Sequence, residues 1–328
     1  MGASDAIIWA GGSAASRLAA IVRDAGATLV AAGGPNPEAV RESLNDDDVR
    51  VFDDLRATVM AEKPSMVLIA AFPDSETGSL DGRTLAELRA SGTAVLTTVS
   101  PATGLIQAGE SGLFKETGGT SPAAGIRLVP RVRRQPSFRA AEDAFSDFGQ
   151  ANLITIESFA PPGVGGAAAA MLGALDTVQT LVGQPELVDA AAARPTKRLS
   201  ELEGSAAALL RFADGRCGQL LISDRAPWGW RITLSGASGR FTVRPSGFDW
   251  VDAEGKKQDS SRTDGPNAGF EGVVADAVRG AIDGSHAGEP ATDWVGLLST
   301  AEAVLLSSRT GEPESPQTIA RAAAQPGV

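Results

Sequence analysis

The chain has 328 residues, 43% of them hydrophobic, with 29 Lys and Arg against 40 Asp and Glu for a net charge of −11. That length can bury core enough for two domains. The acidic balance excludes nucleic acid and anionic membrane as default partners, since both are bound by clustered basic surface. A single cysteine, Cys217, excludes an intrachain disulfide, and a single histidine, His286, leaves no ordinary zinc cluster. There is no tyrosine, so no phenol can act as acid or base. The longest apolar runs, such as AAAAML at 167–172, are too short to span a bilayer. The first residues lack the basic start and long apolar centre of a signal peptide. The expectation is a cytoplasmic protein that binds no membrane, nucleic acid or metal.

The first 124 residues alternate apolar strands with segments that are apolar at helical spacing. The strands are AIIWA, ATLVAA, VRVFD, MVLIAA and AVLTTV; between them run AASRLAAIVRDAG, NPEAVRESL, LRATVMAEK and GRTLAELRASG. This alternation predicts a parallel, doubly wound α/β sheet with its ligand crevice at the carboxyl ends of the strands. The first strand enters a glycine-containing turn, IIWAGGSAAS, in the context where G-x-G-x-x-G cradles a pyrophosphate.

Residues 125–328 follow a different pattern. SFRAAEDAFSDFG reads as a helix ending at Gly149, ANLITIESF as a strand, and GGAAAAMLGALDTVQTLVG as a long helix ending at Gly183. The runs AAALLRFADG, CGQLLISD, WRITLSGASG, RFTVRPSG and FDWVDAEG are strands separated by DG and SG hairpin signals. Helices at about 270–283 and 292–309 close an α+β domain built on a large, mostly antiparallel open sheet.

Four phrases, PSFRAAEDAFSDFGQANLITIES, AAALLRFADGRCGQLLIS, ITLSGASGRFTV and AEAVLLSSRTGEP, resemble the Gfo/Idh/MocA family of oxidoreductases. The resemblance runs in order over nearly the whole chain. It implies a Rossmann domain at 1–124 that holds NAD(P), and a domain at 125–328 that carries substrate and oligomerises. Members oxidise a hydroxyl or reduce a ketone on a sugar or cyclitol, which needs a fixed nicotinamide and an acid/base group at the carbinol oxygen.

Against that pattern the motif residues are depleted. Trp9 stands at the first loop glycine and Ala14 at the third; Gly11 and Gly12 remain, and Ser13 is placed to cap the following helix. The end of the second strand offers Gly33, Gly34 and Asn36 where NAD-binding members carry an acidic residue. Ala71, Phe72 and Thr98, at the ends of later strands, complete the nucleotide-contact candidates. The family's lysine lies in a Glu-Lys-Pro after the fifth strand, where this chain has Val99, Ser100 and Pro101. The sequence Glu62-Lys63-Pro64 precedes a strand, at the end away from the crevice, so Lys63 reads as a surface residue. The family's second cluster is an Asp and a His one helical turn apart, then a second Asp. Ala169, Gly173 and Asp176 occupy those positions, so Asp176 alone matches.

No catalytic residue is therefore assigned. Substrate contacts are expected from Asp176 and Arg134, with at least two of Arg131, Arg133 and Arg134 expected on the surface. GVGGAA at 163–168 reads as packing, His286 as an exposed loop residue, and one of Trp228 and Trp230 as buried in a core or interface. Three functions stay open. The first is a binding, regulatory or scaffold subunit without turnover. The second is an NAD(P)-dependent oxidoreductase on a sugar, cyclitol or related substrate with an altered catalytic set. The third is a sensor for a nucleotide or sugar phosphate. The partner is expected to be a second copy, met through the open sheet face, or another protein.

Overall fold

A computed structural model describes residues 4–71, 80–102, 104–114, 121–129, 132–160, 166–263, 270–285 and 291–324. Phe72, Arg131, Gly163 to Gly165 and His286 lie outside the described residues.

The first sheet holds β1 (Ser4–Trp9), β2 (Ala27–Gly33), β3 (Arg50–Phe52), β4 (Met66–Ile69), β5 (Ala94–Thr97) and β6 (Ile126–Leu128). Its order is β3-β2-β1-β4-β5-β6 and every pair is parallel, the doubly wound arrangement expected of a nucleotide-binding fold. β6 belongs to this sheet although it lies past residue 124, because the chain completes the parallel edge before it leaves. Ala6 to Trp9 and all of β4 are buried, the near-continuous apolar reading of strands covered on both faces. Ile7 and Trp9 pack into one core cluster, Ala6, Ile8 and Ala10 into the other, as alternation along a strand requires.

The helices α1 (Gly12–Asp24), α2 (Pro37–Leu44), α3 (Leu55–Glu62) and α4 (Gly82–Ala90) cross between these strands. Asn36, Asp54 and Asp81 accept from the backbone at the starts of α2, α3 and α4. Lys63 is exposed at the end of α3, before β4, as the sequence predicts. α5 (Leu105–Glu110) follows the β5 loop.

The second sheet has eight strands in the order β14-β13-β12-β11-β7-β10-β9-β8. They are β7 (Ala151–Phe159), β8 (Leu187–Ala192), β9 (Ser205–Arg211), β10 (Cys217–Ser223), β11 (Gly229–Gly236), β12 (Gly239–Arg244), β13 (Gly247–Val251) and β14 (Lys257–Arg262). All pairs are antiparallel except β7 with β10. α6 (Pro136–Phe148) and α7 (Gly166–Leu181) cover one face and leave the other open. Phe241 of β12 anchors α6: it stacks on Phe248 at 5.1 Å and meets Phe145 at 5.0 Å and Phe148 at 5.8 Å. Trp230 is buried and Trp228 packs at the margin of the same core.

The last helices divide their work. α8 (Phe270–Asp283) returns to α1 and β5 of the first sheet, and α9 (Trp294–Thr310) packs on β8, α7 and α10 (Pro316–Ala324). No described helix is long and apolar enough to cross a membrane, and the described residues hold no cluster of three His, Cys, Asp or Glu side chains that could hold a metal ion.

Candidate functional site

The crevice is framed by the carboxyl ends of β1, β2, β4 and β5. At the β1 end, α1 starts at Gly12 with Gly11 as its N-cap and no side chain accepting from its first turn. Ser13 is an exposed residue inside the helix rather than the cap. The cap falls on Gly11 because its carbonyl already accepts from the N–H groups of Ala14 and Ala15, at 2.9 and 3.1 Å. A Cβ on Gly11 would meet nothing within 4 Å, so this turn is open, whereas one on Gly12 would stand 2.7 Å from the Ala39 Cβ. Gly12 therefore serves the packing of α1 on α2, and the uncapped first turn leaves backbone N–H groups able to receive an anion.

The next position explains both Trp9 and the missing carboxylate. Trp9 pairs with Gly33 across β1 and β2, and Gly33 pairs with Phe52 across β2 and β3. With no side chain between them, the Trp9 and Phe52 rings meet over Gly33 with centroids 5.7 Å apart. Trp9 is 1% exposed. A Cβ at residue 33 would lie 2.5 Å from the Phe52 ring, and one at Gly34 would collide with the Ala10 carbonyl oxygen. The end of β2 thus has no room for an acidic side chain at either glycine. Asn36 is exposed, and its Oδ1 is taken by the Ala39 N–H at 3.1 Å, so only its amide NH2 is left to reach a ligand. Ala71 is half-buried just after β4.

At the β5 end the hydroxyls are mostly committed. Thr97 Oγ1 donates to the Val99 carbonyl at 2.7 Å, and Ser100, at the lysine position, donates to the Ala102 carbonyl. Thr98 is 1% exposed and its Oγ1 has no hydrogen-bond partner among the described residues.

On the far wall Asp176 projects from α7, a helix buried from Ala167 to Val178. Its carboxylate is held by Arg133 in a bidentate pair, Nε to Oδ2 at 2.6 Å and Nη2 to Oδ1 at 2.7 Å. Ala169 and Gly173 on the same helix are buried and bring no ionisable group. Arg134 turns the other way: it is 8% exposed and its guanidinium lies 3.5 Å from Asp276 of α8, which Arg139 also approaches at 3.6 Å. Neither Arg133 nor Arg134 is a free surface charge, contrary to the expectation, because each is drawn inward by a carboxylate from another helix. The arrangement does not bring Arg134 and Asp176 together as a substrate clamp. Sequence spacing carried no signal for the Arg133–Asp176 pair.

The crevice thus offers an open, uncapped helix start for an anion. Among its described residues there is no lysine, histidine or unengaged carboxylate to exchange a proton with a substrate.

No family model and no curated protein matches the sequence. Solved structures do match over almost the whole chain. GenD2 from gentamicin A biosynthesis, solved in complex with NAD, superposes with a TM-score of 0.67 at 16% identity, covering 96% of this chain and 97% of its own. A myo-inositol dehydrogenase from Corynebacterium glutamicum gives 0.66 at 18% identity, over 95% and 98%. Levoglucosan dehydrogenase, in complex with NADH and L-sorbose, gives 0.70 at 13% identity, over 96% and 99%. The chain has the two-domain fold of the Gfo/Idh/MocA dehydrogenases.

Proposed function

We propose that this chain is a Gfo/Idh/MocA homologue that has given up hydride transfer and works as a binding, regulatory or scaffold subunit. The observation that carries this reading is the state of Asp176. The one carboxylate that matches the family's catalytic cluster is gripped on both oxygens by Arg133, while Ala169 and Gly173 take that cluster's other positions and a serine takes the lysine's. General acid–base catalysis needs a group within reach of the reacting oxygen and able to change its protonation state. A bidentate guanidinium engages both carboxylate oxygens and fixes their direction toward Arg133.

The nucleotide remains a separate question. The open turn at Gly11 and the uncapped start of α1 favour a phosphate, while the filled end of β2 removes the usual ribose contact, so NAD(P) is expected to bind weakly. Isothermal titration with NAD⁺, NADH, NADP⁺ and NADPH, combined with a turnover screen on polyols and ketones, tests this directly. The expected result is no turnover and no binding tighter than millimolar. Micromolar binding without turnover would move the assignment to a nucleotide sensor. Turnover of any substrate would overturn it in favour of an altered oxidoreductase.

A second copy is proposed as the partner, through the open face of the eight-stranded sheet. Leu153 on β7 and Leu209 on β9 are 43% and 54% exposed there, large apolar side chains left uncovered. Sedimentation velocity should give a dimer for the native chain and a monomer for Leu209→Glu; a native monomer would remove the second copy and leave a different protein as the partner.

A further inference from the structure

A cavity of about 470 Å³ opens between α5, α9 and α10 and the segment 197–199; its lining includes Ser100, at the crevice's lysine position, but no residue of α7 and none of the Gly11 turn. Its floor is apolar, made by Leu199, Leu298, Ala301 and Leu305. Two kinds of charge stand over that floor. Glu302 is half-buried, and its Oε1 accepts from the Leu105 N–H at the start of α5. Gly104 permits this approach, because a Cβ there would stand 2.9 Å from Oε1. Glu302 Oε2 has no hydrogen-bond partner among the described residues. Burial raises the Glu302 carboxyl above its usual value of 4.5, against the lowering effect of the Leu105 N–H.

The second kind of charge is cationic. Lys197 and Arg309 line the mouth, are exposed, and make no ion pair among the described residues. Arg198 beside them is paired with Glu201 at 3.8 Å. Leu298, Glu302, Leu305 and Arg309 follow one stripe of α9, so Glu302 and Arg309 stand two turns, about 10.5 Å, apart along the axis. A cleft with an apolar floor and a few polar groups on its walls is a general form of small-molecule site. Exposed Glu110 of α5 also stands in the lining; with Glu302 engaged by the Leu105 N–H, Lys197 and Arg309 are the lining groups left to receive an acid.

We propose that this cavity is a second ligand site, adjoining the nucleotide crevice at Ser100, for a small organic anion with an apolar body. The acid group is held by Lys197 and Arg309, the body lies on Leu298, Leu305 and Leu199, and a hydroxyl or N–H on the ligand faces Glu302. The site does not depend on whether the crevice binds a dinucleotide or turns over.

The test uses 8-anilinonaphthalene-1-sulfonate, a fluorescent sulfonate on an aromatic body, titrated into the full chain. Three proteins are compared: the native chain, the double variant Lys197→Ala/Arg309→Ala, and a control, Arg240→Ala/Lys257→Ala, which removes the same charge from the open sheet. All four side chains are exposed, so circular dichroism and Tm should stay unchanged. Saturable native binding, weakened at least tenfold in Lys197→Ala/Arg309→Ala and unchanged in the control, is the expected result. Equal binding by the native chain and that variant, an equal loss in both variants, or no saturable binding would each overturn the proposal.

Discussion

Replacing Trp9 by glycine, which restores the first glycine of the nucleotide loop, is expected to lower the unfolding free energy by about 3–5 kcal/mol and to recover no dinucleotide binding. The indole is 1% exposed and belongs to the cluster that holds Ile7, Phe52, Leu55, Val59 and Ile69. Removing it leaves a cavity against the Phe52 ring that the parallel strands on either side cannot close. The glycine would also free nothing for a ribose, because Phe52 still fills the space over Gly33 and Gly34 still abuts the Ala10 carbonyl. Trp9→Phe separates volume from polarity. It keeps most of the apolar contact and removes an indole N–H that is buried without a hydrogen-bond partner among the described residues, so its cost should stay below about 1.5 kcal/mol. Urea denaturation of the three proteins, followed by titration with NAD⁺ and NADPH, provides both readouts. Micromolar binding by Trp9→Gly would mean that the indole merely plugs an intact cofactor site.

The parallel half was legible in the sequence because its strands are apolar runs bounded by helical periodicity, and β1, β2, β4 and β5 fall where those runs lie. The ends of α6 and α7 were equally plain, since Gly149 and Gly183 adopt φ of 76° and 100°. Elements without an apolar pattern escaped. β14, KQDSSR, is a polar edge strand with no buried residue, and α5 has only six residues, too few for a period to show. β8 and α10 were passed over as well, although α10 lays Ile319, Ala320 and Ala323 against the core. Within the site, the losses at Trp9, Ser100, Ala169 and Gly173 could be counted by setting the sequence on the motifs of the family it resembles. Their consequences could not. That Trp9 and Phe52 meet over Gly33 depends on the register of three strands, and the partner of Asp176 lies 43 residues away on a different segment.

That partner sets the second large effect. Arg133→Ala is expected to destabilise the chain by about 3–5 kcal/mol, because it leaves the Asp176 carboxylate, 8% exposed on a helix of alanines and leucines, without its counter-charge. Asp176→Asn should cost less, since the arginine side chain is 26% exposed and water can reach part of what the carboxylate gave up. Combining the two changes should cost much less than the sum of the single losses, because the burden in Arg133→Ala is the stranded carboxylate itself. A double-mutant cycle by urea denaturation measures that coupling, and additive losses would show that the pair is incidental to the fold. The same variants bear on function. An Asp176 kept for substrate would become more available when Arg133 is removed, so a hydroxyl-bearing ligand should bind more tightly to Arg133→Ala. An Asp176 kept to fasten α7 to the segment before α6 gives no such gain. The proposed loss of turnover requires the second outcome: a carboxylate that began as part of a proton-transfer cluster and now joins two parts of the fold.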